Sequence, residues 1–217
     1  MIRKASAVVS AVVVAAGCVS LASAAFADIA LTEPEKEGGS GIFTLLERRA
    51  SGSRNGFPKG AVTLDELSTL LWAATGRNRG NTGWTVPLAG GLPPYVAIYA
   101  VKSDGVFLYE PREHALKEIS NKNVLASIAG DGFVRDSPVV LVFVSDPTGL
   151  GNMSRFNEGS ALAYAAAGAM SQNAYLAADS LGISARYMVS MKTDAVRLEL
   201  KLKEEQVPLC IMPLGKR

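Results

Sequence analysis

The segment 160–181 constrains the fold of this 217-residue chain more than any other feature of the sequence. It consists mostly of Ala, Leu, Gly and Met, its only charged side chain is Asp179, and Gly182 follows at the position where helices commonly end. A helix that is apolar on nearly all sides has to be buried. The polar run 171–173 at its centre argues against a transmembrane helix. We therefore expect a central helix of an α+β domain, whose small residues allow a second helix or a partner subunit to approach closely.

The remaining elements fit the same class. Two Thr-x-x-Glu patterns, at 44–47 and 63–66, predict capping boxes at helix starts, and the second opens a helix with a leucine stripe. Hairpin spacing separates the first two predicted strands, and one continuous apolar run predicts a strand that is buried on both faces. The predicted strands are 95–101, 105–109, 139–144 (the continuous run), 183–190 and 207–212.

The first 27 residues predict a secretory signal peptide. Two basic residues precede an Ala/Val-rich run that ends in a small-x-small pattern at 25–27, where we expect cleavage. The alternatives are a membrane anchor, because the stretch 5–27 is long enough to span a bilayer, and a lipoprotein modified at Cys18. Cleavage predicts an exported, periplasmic protein without a membrane span. Cys210 would then be its only cysteine, so no intramolecular disulfide would form and the fold would depend on its core.

Composition indicates one domain after this peptide. Residues 28–41, with Pro34, three glutamates and Gly38-Gly39, predict a flexible lead-in, and residues 42–217 are long enough for one well-packed core. The net charge is +2 and there is no basic block, so the sequence gives no reason to expect a nucleic-acid partner.

A cluster of cations, hydroxyls and glycines lies at 48–57, where the sequence reads Arg-Arg-Ala-Ser-Gly-Ser-Arg-Asn-Gly-Phe. Guanidinium groups bind phosphate through paired hydrogen bonds, serine hydroxyls add neutral donors, and glycines let the backbone approach an anion. The cluster therefore predicts a phosphate site, and a solvated basic turn is the alternative.

Several segments, taken in order, resemble the nitroreductase-like family of FMN-dependent oxidoreductases, particularly the branch with the thiazole- and oxazole-peptide dehydrogenases and small exported homologues. The resemblance implies a mixed sheet flanked by helices and a homodimer with FMN at the subunit interface. The segments are the cluster at 49–57, Leu-Leu-Trp-Ala-Ala-x-Gly at 70–76, Asn78-Arg79, Thr-Val-Pro-Leu-Ala-Gly-Gly at 85–91, the hairpin at 106–111, Gly168 to Leu176, and Pro-Leu-Gly-Lys at 213–216.

The resemblance also implies which residues hold the FMN phosphate and ribityl chain. The family pattern Arg-x-Ser-x-Arg-x-Phe is stretched here by two apparent glycine insertions, which leaves its register open. Basic residues after the last strand resemble those with which the family closes on the same phosphate, and a frayed, solvated terminus is their alternative reading. The implied ligands are Arg48, Arg49, Ser51, Ser53, Arg54, Lys216 and Arg217.

Two further segments are implied to contact the flavin ring. The loop 85–91 resembles a family loop that reaches the ring from the neighbouring subunit, and its implied contacts are Pro87, Leu88 and Ala89. Leu88 stands where serine is usual, so backbone groups would have to make that contact. Arg186 falls beside the reactive edge of the flavin, where a cation would stabilise an anionic reduced form. A plain Pro/Gly turn and a surface ion pair are the alternatives.

Because flavin N5 would carry the chemistry, the resemblance requires no catalytic side chain. We find no metal cluster and no nucleophile system in the sequence; the only histidine, His114, predicts a solvated turn, and Cys210 a buried inert thiol. The implied reaction is two-electron, ping-pong transfer to an electron-poor small molecule such as a nitroaromatic or a quinone. NAD(P)H is a common donor in the family, but export leaves the donor open. The alternative function is an exported, non-catalytic binding or scaffold protein with a degenerate flavin site.

Overall fold

A central antiparallel sheet organises the domain. The computed structural model describes residues 27–80, 82–88, 91–155 and 160–217. Within these ranges the sheet has seven strands in the order β1-β4-β3-β2-β5-β7-β6. Every recorded pairing is antiparallel, a more uniform arrangement than the mixed sheet that we expected. The strands are β1 Ile29–Ala30, β2 Val96–Lys102, β3 Gly105–Glu110, β4 Ala115–Ser120, β5 Val139–Ser145, β6 Ile183–Ala185 and β7 Val207–Lys216.

Strand β5 lies inside the sheet, between β2 and β7, and is buried along its whole length, as its continuous apolar run predicts. Its odd-numbered residues, such as Phe143, join the core on one face, and its even-numbered residues, such as Val142, join the core on the other face. This alternation follows from the two-residue period of a strand. Burial of a side chain such as Phe143 contributes about 1.5–3 kcal/mol to stability.

Helices cover both faces of the sheet. The predicted capping box of α2 is confirmed: Thr63 Oγ1 accepts from the Glu66 amide at 3.2 Å, and Glu66 accepts from the Thr63 amide at 2.9 Å. The box predicted at 44–47 is wrong, because α1 already begins at Ile42, after Gly41. The helices are α1 Ile42–Arg48, α2 Leu64–Thr75, α3 Leu125–Ile128, α4 Gly132–Arg135, α5 Ser160–Ser180 and α6 Thr193–Glu199, with a 3-10 helix at Pro147–Arg155.

Helix α5 is the long central helix that the sequence predicts. Together with α2 it packs on one face of the sheet, whereas α3, α4 and α6 pack on the other. In the single chain α5 is buried on one side, and the opposite side carries a stripe of exposed residues. The stripe consists of Ala161, Tyr164, Ala165, Gly168 and Gln172.

The lead-in predicted at 28–41 is attached to the domain at several points. Its strand β1 pairs with β4, Pro34 is buried, and the Glu35 amide donates to Thr69 Oγ1 at 3.0 Å. The predicted signal peptide and Cys18 lie outside the described residues, of which Ala27 is the first. Across the part of the chain that is described, none of the helices is both long and apolar enough to cross a membrane.

Candidate functional site

The arginine–serine segment, residues 48–54, leaves the end of α1 and runs beside β6. The Gly52 amide donates to the carbonyl of Ala185 at 2.8 Å, and Arg186 Nη1 donates to the Gly52 carbonyl at 2.7 Å. A Cβ atom at residue 52 would lie 2.6 Å from the ring of Phe57, so only glycine fits without a shift of that ring. The two hydrogen bonds of the Gly52 backbone therefore fix the segment beside the strand, and the ring of Phe57 packs closely against it.

Tyr175 of α5 contacts several parts of this segment. Its hydroxyl oxygen lies 2.9 Å from Ser51 Oγ and accepts the backbone amide of Tyr187 at 2.6 Å. The guanidinium of Arg49 lies over the ring of Tyr175, 5.1 Å from its centroid, in a cation–π arrangement. One buried tyrosine thus contacts a predicted cation, a predicted hydroxyl and the chain that follows β6.

Asp179 lies one turn beyond Tyr175 on the same side of α5. Arg48 donates to its carboxylate, and Arg217 Nη2 donates to the same carboxylate at 3.0 Å. Burial alone would raise the pKa of Asp179, but the hydrogen bonds from Arg48 and Arg217 outweigh burial and hold the pKa below its ordinary value. Two arginines share one carboxylate, so the cluster keeps a net positive charge.

The other predicted phosphate ligands are more dispersed. The ammonium of Lys216 contacts Glu66 of α2 and donates to the carbonyl of Leu181 at 2.6 Å. Arg54 is exposed and lies 3.9 Å from Asp131, and Ser53 is exposed. Lys216 is therefore engaged by α2, while Arg54 and Ser53 keep donors on the surface.

The loop at 85–88 meets α5 on a different side. The carbonyl of Thr85 accepts from Asn173 Nδ2 at 3.1 Å, whereas Tyr175 faces the arginine–serine segment. Residues two positions apart on an α-helix point in nearly opposite directions. Pro87 is exposed, Leu88 packs partly buried on the core, and the predicted contact at Ala89 lies outside the described residues. One chain therefore does not bring this loop and the segment together.

His114 lies in a turn, as predicted, but the turn is not solvated at this residue. The half-buried imidazole of His114, in the β3–β4 turn, forms a cluster with α2, β3 and the lead-in. Its Nε2 lies 2.7 Å from Ser68 Oγ and 3.1 Å from the carbonyl of Thr32, and its Nδ1 lies 2.9 Å from the Tyr109 hydroxyl. Burial lowers the pKa of His114 below its ordinary value. Ser68 is fully buried, so this serine–histidine pair has no access to a substrate.

The cysteine prediction is confirmed, since Cys210 is a free, buried thiol in β7. Burial raises the pKa of Cys210 to about 12, and burial also raises the pKa of its neighbour Tyr187 to about 12. Neither group ionises near neutral pH. Within the described ranges, no group of His, Cys, Asp and Glu side chains is arranged to hold a metal ion.

A cavity of about 390 Å³ lies on the far side of α5. Trp72, Thr85, Asn173 and Leu176 line it, together with the end of the lead-in. Among the predicted cofactor ligands that the structure describes, none lines this cavity. The site that the sequence predicts is therefore the exposed surface around the arginine–serine segment, not this cavity.

Sequence reasoning missed Tyr175 and Asp179 as partners of the arginines. The signal for Asp179 was present, because a single carboxylate in an otherwise uncharged helix requires a cationic partner when it is buried. Tyr175 gave no comparable signal, since aromatic residues in such helices usually serve the core.

Comparison with known proteins identifies the relatives of this chain. The model named Nitroreductase family matches residues 46–216, which is most of the chain. The chain belongs to the nitroreductase family. A candidate nitroreductase of Methanocaldococcus jannaschii is 30% identical over 183 residues, which cover 80% of this chain and 89% of that protein.

Solved structures agree with the family. The crystal structure of a candidate nitroreductase from Ralstonia eutropha aligns with a TM-score of 0.79 and 29% identity, and covers 87% of this chain and 89% of that one. A chain of the E. coli microcin synthetase McbBCD complex with truncated pro-MccB17 bound aligns with a TM-score of 0.65 over 95% of this chain and 84% of that one. At 18% identity this second likeness concerns the fold alone. The predicted family and fold class are thus confirmed, and the protein is a nitroreductase-family oxidoreductase.

Proposed function

We propose that this protein is an exported, FMN-dependent oxidoreductase that transfers two electrons by a ping-pong route to an electron-poor small molecule such as a nitroaromatic or a quinone. The observation that carries the proposal is the arrangement of the arginine–serine segment, which presents guanidinium and hydroxyl donors beside β6. Membership of the nitroreductase family supports it, because proteins of this family generally use FMN.

The donor set fits an anionic cofactor. Arg49 and Ser51 lie side by side on Tyr175, and Arg54 and Ser53 stand exposed within a few residues of them. We assign these four residues to the phosphate and ribityl chain, with Arg48 and Arg217 as a second pair of cations. Charge-assisted hydrogen bonds of this kind are the strong ones in phosphate recognition.

Arg186 fits the ring end of the same site. Its Nη1 donates to the carbonyl of Gly52, but its Nε is buried and has no hydrogen-bond partner among the residues that the structure describes. A buried donor without a partner is costly, so a ligand atom that accepts from it would be favoured. When bound, FMN supplies the two-electron chemistry, and the protein is left to bind, orient and tune it.

We propose a homodimer that forms two such sites. The exposed stripe on α5 lies on the same side of the helix as Tyr175 and Asp179, because its residues recur at spacings of three, four or seven positions that continue to these two. A partner on this stripe would therefore lie next to the arginine–serine segment. Helix α1 adds exposed apolar side chains beside α5, of which Phe43 is 83% exposed. The loop 85–91, including Pro87, Leu88 and Ala89, would then complete the site of the partner, since its described part, 85–88, meets α5 on a different side from the arginine–serine segment.

The absorbance spectrum of the purified protein tests this function. The protein is incubated with FMN, passed through gel filtration and examined for retained flavin bands, and the same column reports the oligomeric state. Retained flavin that is reduced by a donor and reoxidised by a quinone is the expected result. A protein that elutes without flavin contradicts the proposal.

A non-catalytic binding protein is the second candidate, and one observation favours it. Carboxylates already lie beside four of the predicted phosphate ligands. Asp179 pairs with Arg48 and Arg217, and Glu66 pairs with Lys216. Asp131 lies 3.9 Å from Arg54. A degenerate site of this kind predicts a colourless protein whose thermal stability does not respond to FMN.

A further inference from the structure

We infer that Tyr175 is a positioning residue for cofactor binding, because its hydroxyl directs the proton of Ser51 outward as a donor to the FMN phosphate. The inference rests on the proposed function. It concerns the direction of two successive hydrogen bonds, which join the backbone amide of Tyr187, the hydroxyl of Tyr175 and the exposed hydroxyl of Ser51.

The direction follows from the donors along that chain. A backbone amide only donates, so the oxygen of Tyr175 accepts from Tyr187 at 2.6 Å. Tyr175 is buried, and an unpaired buried proton is costly, so its own proton requires an acceptor. Ser51 Oγ lies 2.9 Å away and serves as that acceptor. The proton of Ser51 is then left for a partner outside the chain, and Ser51 is exposed.

The ring of Tyr175 has a separate effect. Arg49 lies over its face, 5.1 Å from the centroid, so the ring holds a cation beside the oriented hydroxyl. The backbone between them is fixed as well, because the Gly52 amide is bonded to Ala185. One neutral donor and one cationic donor are thus held next to each other, which suits the several oxygens of a phosphate.

Removal of the hydroxyl alone separates these effects. In Tyr175→Phe the ring remains under Arg49, but Ser51 is free to rotate. We expect the Kd for FMN to rise about tenfold, the loss typical of one hydrogen bond to a charged group. The Kd for riboflavin, which lacks the phosphate, is expected to stay unchanged. Both constants are measured by quenching of flavin fluorescence in the full chain, and Tyr99→Phe, a buried tyrosine in the core on the opposite face of the sheet, is the matched control.

A double-mutant cycle tests whether Tyr175 acts through Ser51. Ser51→Ala and Tyr175→Phe are each expected to weaken FMN binding about tenfold, and the double variant no further, because both abolish the same oriented hydrogen bond from Ser51. Ser51→Thr, which keeps a hydroxyl, should retain the wild-type affinity within about threefold; this variant and Ser51→Ala keep the test open if Tyr175→Phe does not fold.

The outcomes separate this inference from the proposed function. Additive losses, an equal loss for riboflavin, or an unchanged FMN affinity in Tyr175→Phe would overturn the role of Tyr175 while FMN binding stands. If the unaltered protein binds neither FMN nor riboflavin, the proposed function fails and this inference fails with it.

Discussion

The His114 cluster and the arginine–serine segment contain similar polar groups but serve different purposes. In the His114 cluster, the imidazole, Ser68, Tyr109 and the carbonyl of Thr32 satisfy one another within 2.5–3.1 Å. The arginine–serine segment has more donors than acceptors, with Arg49 held by a ring face and Ser51 and Arg54 exposed. A cluster in which donors match acceptors serves the fold, whereas surplus donors at the surface are available to a ligand.

The same difference appears in the charges. Arg48 and Arg217 share the single carboxylate of Asp179, which leaves one positive charge over. His114 is kept neutral by burial, so its cluster carries no charge to attract a ligand. If surplus donors serve a ligand and matched groups serve the fold, changes in the first cluster should alter cofactor affinity and changes in the second should alter stability.

The largest effect is expected at the surplus donors. Replacement of both Arg49 and Arg54 with glutamine should raise the Kd for FMN about 100-fold, because each lost charge-assisted hydrogen bond contributes about 1.5–3 kcal/mol. The free energy of unfolding of the ligand-free protein should change by less than about 1 kcal/mol. Lys117→Gln with Lys122→Gln removes the same charge from exposed positions and should leave affinity unchanged. Equal losses in the two double variants would mean that the segment acts only through net charge.

The reverse pattern is expected for Ser68→Ala. Ser68 is fully buried and links His114 to the carbonyl of Thr32, so its loss should lower the free energy of unfolding by about 2 kcal/mol. The affinity for FMN should not change. Urea unfolding measures the first quantity, with the exposed turn variant Ser103→Ala as control. A variant as stable as the wild type would show that the matched cluster does not stabilise the fold.

The neutral imidazole of His114 should make the stability of the protein depend on pH. Burial depresses the pKa of His114, so below about pH 6.5 the unfolded chain takes up a proton before the folded chain does. The free energy of unfolding should therefore fall as the pH drops from about 7.5 toward 5.5, and His114→Gln should flatten that fall. His114 is the only histidine, so its ring signals in an NMR titration report its pKa without ambiguity. A pKa at or above the ordinary value would contradict the neutral cluster.

The smallest effect is expected at Glu33, which borders the His114 cluster. Glu33 pairs with Lys36 at 3.1 Å, and its side chain is 85% exposed. Glu33→Gln should change the free energy of unfolding by less than about 0.5 kcal/mol, as for other exposed ion pairs. FMN affinity should be unaffected. A larger loss of stability in urea would mean that the cluster depends on charges at its rim.

The fold was predictable where a local pattern determined the outcome. The alternation of β5 between two cores and the length of α5 follow from the composition of 139–145 and 160–180. Strand β4 was missed, because Ala115–Ser120 contains exposed charge and is held in place by its neighbours in the sheet rather than by its own apolar pattern. The box at 44–47 failed because the helix starts at Ile42, three residues before the start at Leu45 that the box requires.

The site was predictable in its residue types and not in its pairings. The sequence identified Arg49 and Ser51, but it could not place Tyr175 between them, since that contact joins residues more than 120 positions apart. The same limit hid the partners of His114, which come from three separate elements. Long-range contacts of this kind depend on the assembled sheet and helices.

The position of strand β7 determines when the sheet can form during synthesis. It is the last strand in chain order, yet it stands between β5 and β6, and its Lys216 pairs with Gly60 near the start of the domain. During synthesis the sheet cannot close until residues 207–216 have left the ribosome. Until then the nascent chain lacks a completed core.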